Sequence, residues 1–98
     1  MEQQELLRAK LNGETSRMQW TELQRFFASG AVIAVSHELD LIEVAACIAN
    51  DDTKAIAQWM AESRIGRVND AQASAWLEAD ATLWAVVVKP WILVQEKN

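Results

Sequence analysis

Cysteine is almost absent from this chain, with Cys47 the only one among 98 residues. A single thiol cannot close an internal disulfide or build a cysteine zinc cage, and such usage points to a reducing, cytoplasmic setting. Histidine is equally scarce. A zincin-type helix needs His-Glu-x-x-His, but the residue four places after His37 is Leu41. The three glycines, at 13, 30 and 66, are too scattered for a phosphate-binding loop, and Ser36 lacks the flanking glycines of a nucleophile elbow. No cofactor motif and no catalytic motif is present, which points away from an enzyme.

Positive charge is also in deficit. Nine basic against fourteen acidic residues leave a net charge of -5 and a pI of about 4.7. Such a chain repels phosphate backbones and anionic lipid, which argues against nucleic acid and membrane surfaces as partners. Arg64 and Arg67, around Gly66, are the nearest thing to a basic patch and read as a solvated turn. Long hydrophobic runs are missing too. The longest, around residues 83 to 94, is interrupted by Lys89 and Pro90 and is too short for a membrane span. Glu2, Gln3, Gln4 and Glu5 are incompatible with a signal peptide.

What is present is material for a packed core: 51% of the residues are hydrophobic. The size and pattern predict a single soluble α+β domain spanning 1–98, with residues 1–13 as a peripheral N-terminal helix. In that segment Leu6, Leu7 and Leu11 recur at helical spacing before Gly13. Trp20, Leu23, Phe26 and Phe27 mark a second helix over about 20–29, with Ser16 to Gln19 or Thr21 to Gln24 as rival start signals and Gly30 as the stop. The run Ala31 to Val35 reads as a buried strand near 31–36.

Asp40 with Glu43 caps a third helix over about 41–50. Asn50, Asp51 and Asp52 then separate it from a fourth carrying Ile56, Trp59 and Met60, so the two form a hairpin. A short edge strand near 67 and a fifth helix from about 70, capped by Asn69 and Gln72, follow. The segment 80–88 can be written as helix or strand. Its β-branched Val86, Val87 and Val88, with Ile92, Leu93 and Val94, predict one long strand over 83–95 with Pro90 at a bulge, edge or break. The expected architecture is therefore about five helices on a small sheet.

Two sites follow from these placements. Ser36, His37, Glu38 and Asp40 stand just after a buried strand, where ligands commonly reach polar groups, so His37, Glu38 and Asp40 with Asp51 and Asp52 form a candidate ligand or metal site. Helix capping and turn formation explain the same residues without any ligand, and no Asp-x-Asp-x-Asp-Gly loop surrounds Asp51 and Asp52. Cys47 lies among Ala45, Ala46 and Ile48 and reads as a small buried thiol. The five tryptophans supply large apolar area. Trp20, Trp59 and Trp76 fall on helical stripes and are expected in the core. Trp84 and Trp91 flank the Lys89–Pro90 break on a strand that is apolar on both faces, and cover for it can come from the chain's own helices or from a partner or second copy.

Three segments, Trp20-Thr-Glu-Leu-Gln-Arg-Phe-Phe-Ala-Ser-Gly30, Leu39-Asp-Leu-Ile-Glu-Val-Ala45 and Leu83-Trp-Ala-Val-Val-Val-Lys-Pro-Trp-Ile-Leu-Val-Gln95, together resemble an uncharacterised bacterial family of small proteins classed as a domain of unknown function. The resemblance runs from about residue 17 to 95 and implies a bacterial cytoplasmic protein; it brings no catalytic or binding residues with it. The leading functional expectation is a small non-enzymatic protein-interaction or regulatory module, self-associating in its simplest form. The alternative is the ligand or metal site around His37.

Overall fold

The computed structural model describes residues 2–96. The end residues of the expected 1–98 span, and residue 1 of the expected terminal segment, lie outside the described residues. Ten elements follow one another: α1 (Glu2–Glu14), β1 (Ser16–Gln19), α2 (Trp20–Ala28), β2 (Val32–Val35), α3 (Leu41–Ala49), α4 (Thr53–Ala61), β3 (Ile65–Arg67), α5 (Asp70–Glu78), β4 (Thr82–Val88) and β5 (Trp91–Glu96). The strands form one mixed sheet in the order β1-β4-β5-β2-β3. Among the described residues only β2 and β5 run parallel, with Val32 beside Ile92 and Val35 beside Gln95; the other neighbours are antiparallel.

The alternation of side chains along β2 and β5 sorts the core into two layers. Ile33, Val35 and Leu93, with Trp84, Val86 and Val88 of β4, face α1, α3 and α4. Val32, Ala34, Ile92 and Val94, with Leu83 and Ala85, face α2 and α5, where Trp20 and Trp76 pack with ring centroids 5.1 Å apart. Trp20 is 1% exposed and packs against the tilted rings of Trp76 and Phe27, and its indole N–H has no hydrogen-bond partner among the described residues. Trp59 is half-buried against the other layer.

Two expectations change. The long strand over 83–95 is a hairpin: β4 and β5 pair from Leu83 with Glu96 to Val88 with Trp91, and Lys89 and the cis-linked Pro90 make the turn. Proline lacks the N–H that a ladder needs, so the run has to stop there. The unforeseen β1 is short, polar and exposed, and its pairing with β4 depends on a partner more than sixty residues away, which local patterning does not encode. Of the two sources of cover expected for this segment, the chain's own helices are the one seen: β4 and β5 are interior strands with helices over both faces, although Val87 stays half-exposed. Trp84 and Trp91 are half-buried within the chain's own layer, each beneath a guanidinium: Arg17 at 4.8 Å from the Trp84 ring and Arg67 at 5.6 Å from the Trp91 ring.

The helices α2, α3, α4 and α5 all end in the same way. In each, the residue after the C-cap takes a positive φ and donates its N–H two residues inside the helix end, and the next N–H reaches one residue further back. These residues are Gly30 (φ 79), Asp51 (φ 57), Ser63 (φ 60) and Asp80 (φ 50). The deeper bonds are Ala31 N–H to the Phe26 carbonyl (3.0 Å), Asp52 to Cys47 (2.9 Å), Arg64 to Trp59 (2.8 Å) and Ala81 to Trp76 (2.9 Å).

Candidate functional site

The parallel strands β2 and β5 end side by side, and an open groove of about 440 Å³ lies beyond and above their carboxyl ends on the α5 side of the sheet. Val94, Ala34 and Gly66 form one row across β5, β2 and β3 and make its floor. Two of these three carry little or no side chain, which is why the sheet is hollow here. A Cβ added at Gly66 would meet nothing within 4 Å. The α5 wall is Asn69, Gln72 and Trp76, and the opposite rim is Ser36, His37, Ser63 and Arg64.

The wall is rich in donors for a local reason. Asn69 caps α5 and Gln72 reciprocates: Gln72 N–H donates to Asn69 Oδ1 at 2.8 Å, and Asn69 N–H to Gln72 Oε1 at 3.1 Å. This exchange occupies both carbonyl oxygens and neither amide NH2, and among the described residues those two NH2 groups have no acceptor. Arg64 adds a guanidinium, held at 3.2 Å from Glu62 by an exposed pair that is cheap to open. On the acceptor side Glu96 takes the Trp76 indole N–H at 3.0 Å.

The loop that carries His37 is anchored from below. Gln95, at the end of β5, donates its side-chain NH2 to the carbonyls of Ser36 (2.9 Å) and Leu39 (2.7 Å), and Ser36 N–H reaches the Arg64 carbonyl at 2.7 Å. His37 itself is exposed on the rim and has no hydrogen-bond partner among the described residues.

The five residues of the expected ligand or metal site occupy separate places. His37 borders the groove. Glu38 is exposed beside Ser36, whose hydroxyl accepts the Glu38 N–H at 3.3 Å. Asp40 caps α3, accepting from Ile42 N–H (2.9 Å) and Glu43 N–H (3.4 Å), and pairs with Arg8 at 3.3 Å. Asp51 and Asp52 stand at the other end of α3, about 14 Å away by helical rise. There Asp51 makes the left-handed turn and Asp52 caps α4 through Ala55 N–H at 3.2 Å. Among the described residues no three of His, Cys, Asp and Glu gather in a metal-binding group. Capping therefore accounts for Asp40 and Asp52, as the capping reading of the sequence has it.

Sequence reasoning missed Gly66 and Gln95 as parts of this site and saw Asn69 and Gln72 only as a cap. The capping pair was itself the available signal, because a cap built from two amides always leaves two NH2 groups over. The convergence with His37 depends on strand register, which the sequence does not display.

Among the described residues no helix is long and apolar enough to cross a membrane. No curated protein matches the chain. A solved structure does: the NMR solution structure of PA1075 from Pseudomonas aeruginosa, 47% identical, with 95% of this chain and 86% of that chain covered and a TM-score of 0.84. A family model, described as a protein of unknown function (DUF2288), matches residues 6–96. The resemblance to a bacterial family of unknown function noted in the sequence thus holds over nearly the whole chain, which belongs to the DUF2288 family.

Proposed function

We propose that this chain is a small non-enzymatic binding module whose working surface is the groove at the carboxyl ends of β2 and β5, and that it takes a compact ligand bearing an acceptor group, carboxylate or phosphate. The observation that carries this reading is the pair of acceptor-less amide NH2 groups on Asn69 and Gln72, which border a floor left hollow by Ala34 and Gly66. Convergent donors above an empty floor suit an anionic oxygen group, and His37 and Arg64 on the rim add to that preference. Binding is favoured over catalysis because the hydroxyl–carboxylate contact at the rim, Ser36 Oγ donating to Glu38 Oε1, is long at 3.5 Å and exposed, with no third group orienting the carboxylate among the described residues. A cytoplasmic setting belongs to the same reading, supported by the free thiol of Cys47.

The test is an amide NMR titration of the intact chain with succinate, citrate and inorganic phosphate, following the backbone signal of Gly66 and the side-chain NH2 signals of Asn69 and Gln72. Saturable shifts at those groups with at least one probe are expected, and they should vanish in Gly66→Leu, whose Cβ meets no neighbouring atom and whose side chain extends over the floor. If no probe produces saturable shifts there, the reading fails. Native mass spectra of the same samples test the self-associating form of the module: a dimer that Trp84→Ala or Trp91→Ala abolishes supports an interface at those residues, and an unchanged mass removes it.

A further inference from the structure

A second cleft, of about 500 Å³, opens on the other side of the sheet between the α3–α4 hairpin and the strands β2, β3 and β5. It exists because α4 stands off the sheet: the helix has no fully buried side chain, and Met60 is 58% exposed. The lining is Ile33, Ile48, Ile56, Met60, Ile65 and Trp91. At the mouth stand Arg67 and Lys89, and among the described residues neither has a salt-bridge or hydrogen-bond partner. The Arg67 guanidinium lies over the Trp91 ring, which orients the planar fork while leaving its N–H groups unused. Asp51, on the α3 side, is the single acid that borders the cleft among the described residues.

We propose that this cleft binds an apolar monocarboxylate, its acyl or aryl body against the isoleucines and Trp91 and its carboxylate between Arg67 and Lys89. Volume and lining suit a small-molecule site, an apolar concavity with a few charged groups that fix orientation. Two unpartnered cations at an apolar mouth, on a chain of net charge -5, select an anionic head group. Asp51 opposite them disfavours a second negative charge, so a monoanion is preferred to a dianion of the same length. The two clefts meet at the β3 edge, where Met60, Ile65, Gly66 and Arg67 border both, but Ile33, Ile48, Ile56, Lys89 and Trp91 border this one alone and Asn69 and Gln72 only the groove, so signals from those residues tell the two sites apart.

The test is a methyl NMR titration of the full chain with decanoate below its micelle concentration, against decanol and decanedioate. Decanoate should shift the methyl signals of Ile33, Ile48, Ile56 and Ile65 saturably and leave Ile92, on the opposite face, unmoved. Arg67→Gln and Lys89→Gln, both at exposed positions, should each weaken decanoate about tenfold, the equivalent of one charge-assisted hydrogen bond, without changing decanol. Lys54→Gln, on α4 away from the mouth, is the charge control and should change neither. Equal affinity for decanol and decanoate, tighter binding of decanedioate, or shifts spread equally over Ile92 would overturn the proposal, as would undiminished decanoate binding by both glutamine variants in a native-like spectrum.

Discussion

Cys47 sits on α3 with its thiol partly covered, and its pKa is raised above the ordinary thiol value by burial first and then by the negative charges of Asp52 and Glu43, while Arg8 pulls the other way. Less thiolate at a given pH means slower alkylation. With iodoacetamide at mildly alkaline pH, Cys47 should react more slowly than a thiol in an unstructured peptide. Asp52→Asn should speed it, because asparagine keeps the α4 cap but removes the charge; Arg8→Ala should slow it further. Rates followed by intact mass across pH check both signs. The same shift acts on stability. The folded thiol holds its proton where the unfolded one has lost it, so the fold loses stability as pH rises from the ordinary thiol value toward the raised one. At this scale the sequence was informative wherever a side chain serves its own neighbours. Asp40, Asp52 and Asn69 are capping residues as their spacing indicates, whereas Gln95, which ties two loop carbonyls from the distant strand β5, has no local signature.

The helix ends show the same division among elements. Gly30 announces the stop of α2, but α3, α4 and α5 stop with the identical hydrogen-bond pattern at Asp51, Ser63 and Asp80, residues that signal a left-handed conformation far more weakly than glycine does. This is why the end of the fifth helix could not be separated from the strand after it by pattern alone. Each of these three side chains is held where glycine is unstrained, so Ser63→Gly and Asp80→Gly should each stabilise the fold by about 0.5–1 kcal/mol, net of the extra backbone entropy of glycine. Urea unfolding measures this, and a loss of stability in both variants would show that the side chains contribute more than the backbone strain costs. Gly30→Ala should do the reverse, destabilising by about 1 kcal/mol.

Over the whole molecule, the apolar runs reveal that there is a sheet with helices on it, but not the order of its strands. The five-helix α+β reading holds, and both apolar faces of the terminal segment pack against the chain's own helices apart from the half-exposed Val87. Strand order is a matter of which distant segments meet, and here β5, last in sequence, lies in the middle, joining β1-β4 on one side to β2-β3 on the other. Ending the chain after Lys89 should leave two separate strand pairs, each marginal by itself. The expected outcome is loss of the cooperative unfolding transition, read by near-ultraviolet circular dichroism of the buried tryptophans; a truncated chain with a native-like signal would contradict it.

The central position of β5 also sets the order of events during synthesis. The ribosome releases α1 to β4 before the strand that joins them exists, so β2 emerges with one of its edges bare and waits through some sixty residues of translation for the neighbour that fills it. The sheet therefore closes only once β5 has been made, and the nascent polypeptide before residue 91 is the state in which its apolar strands are open to other chains.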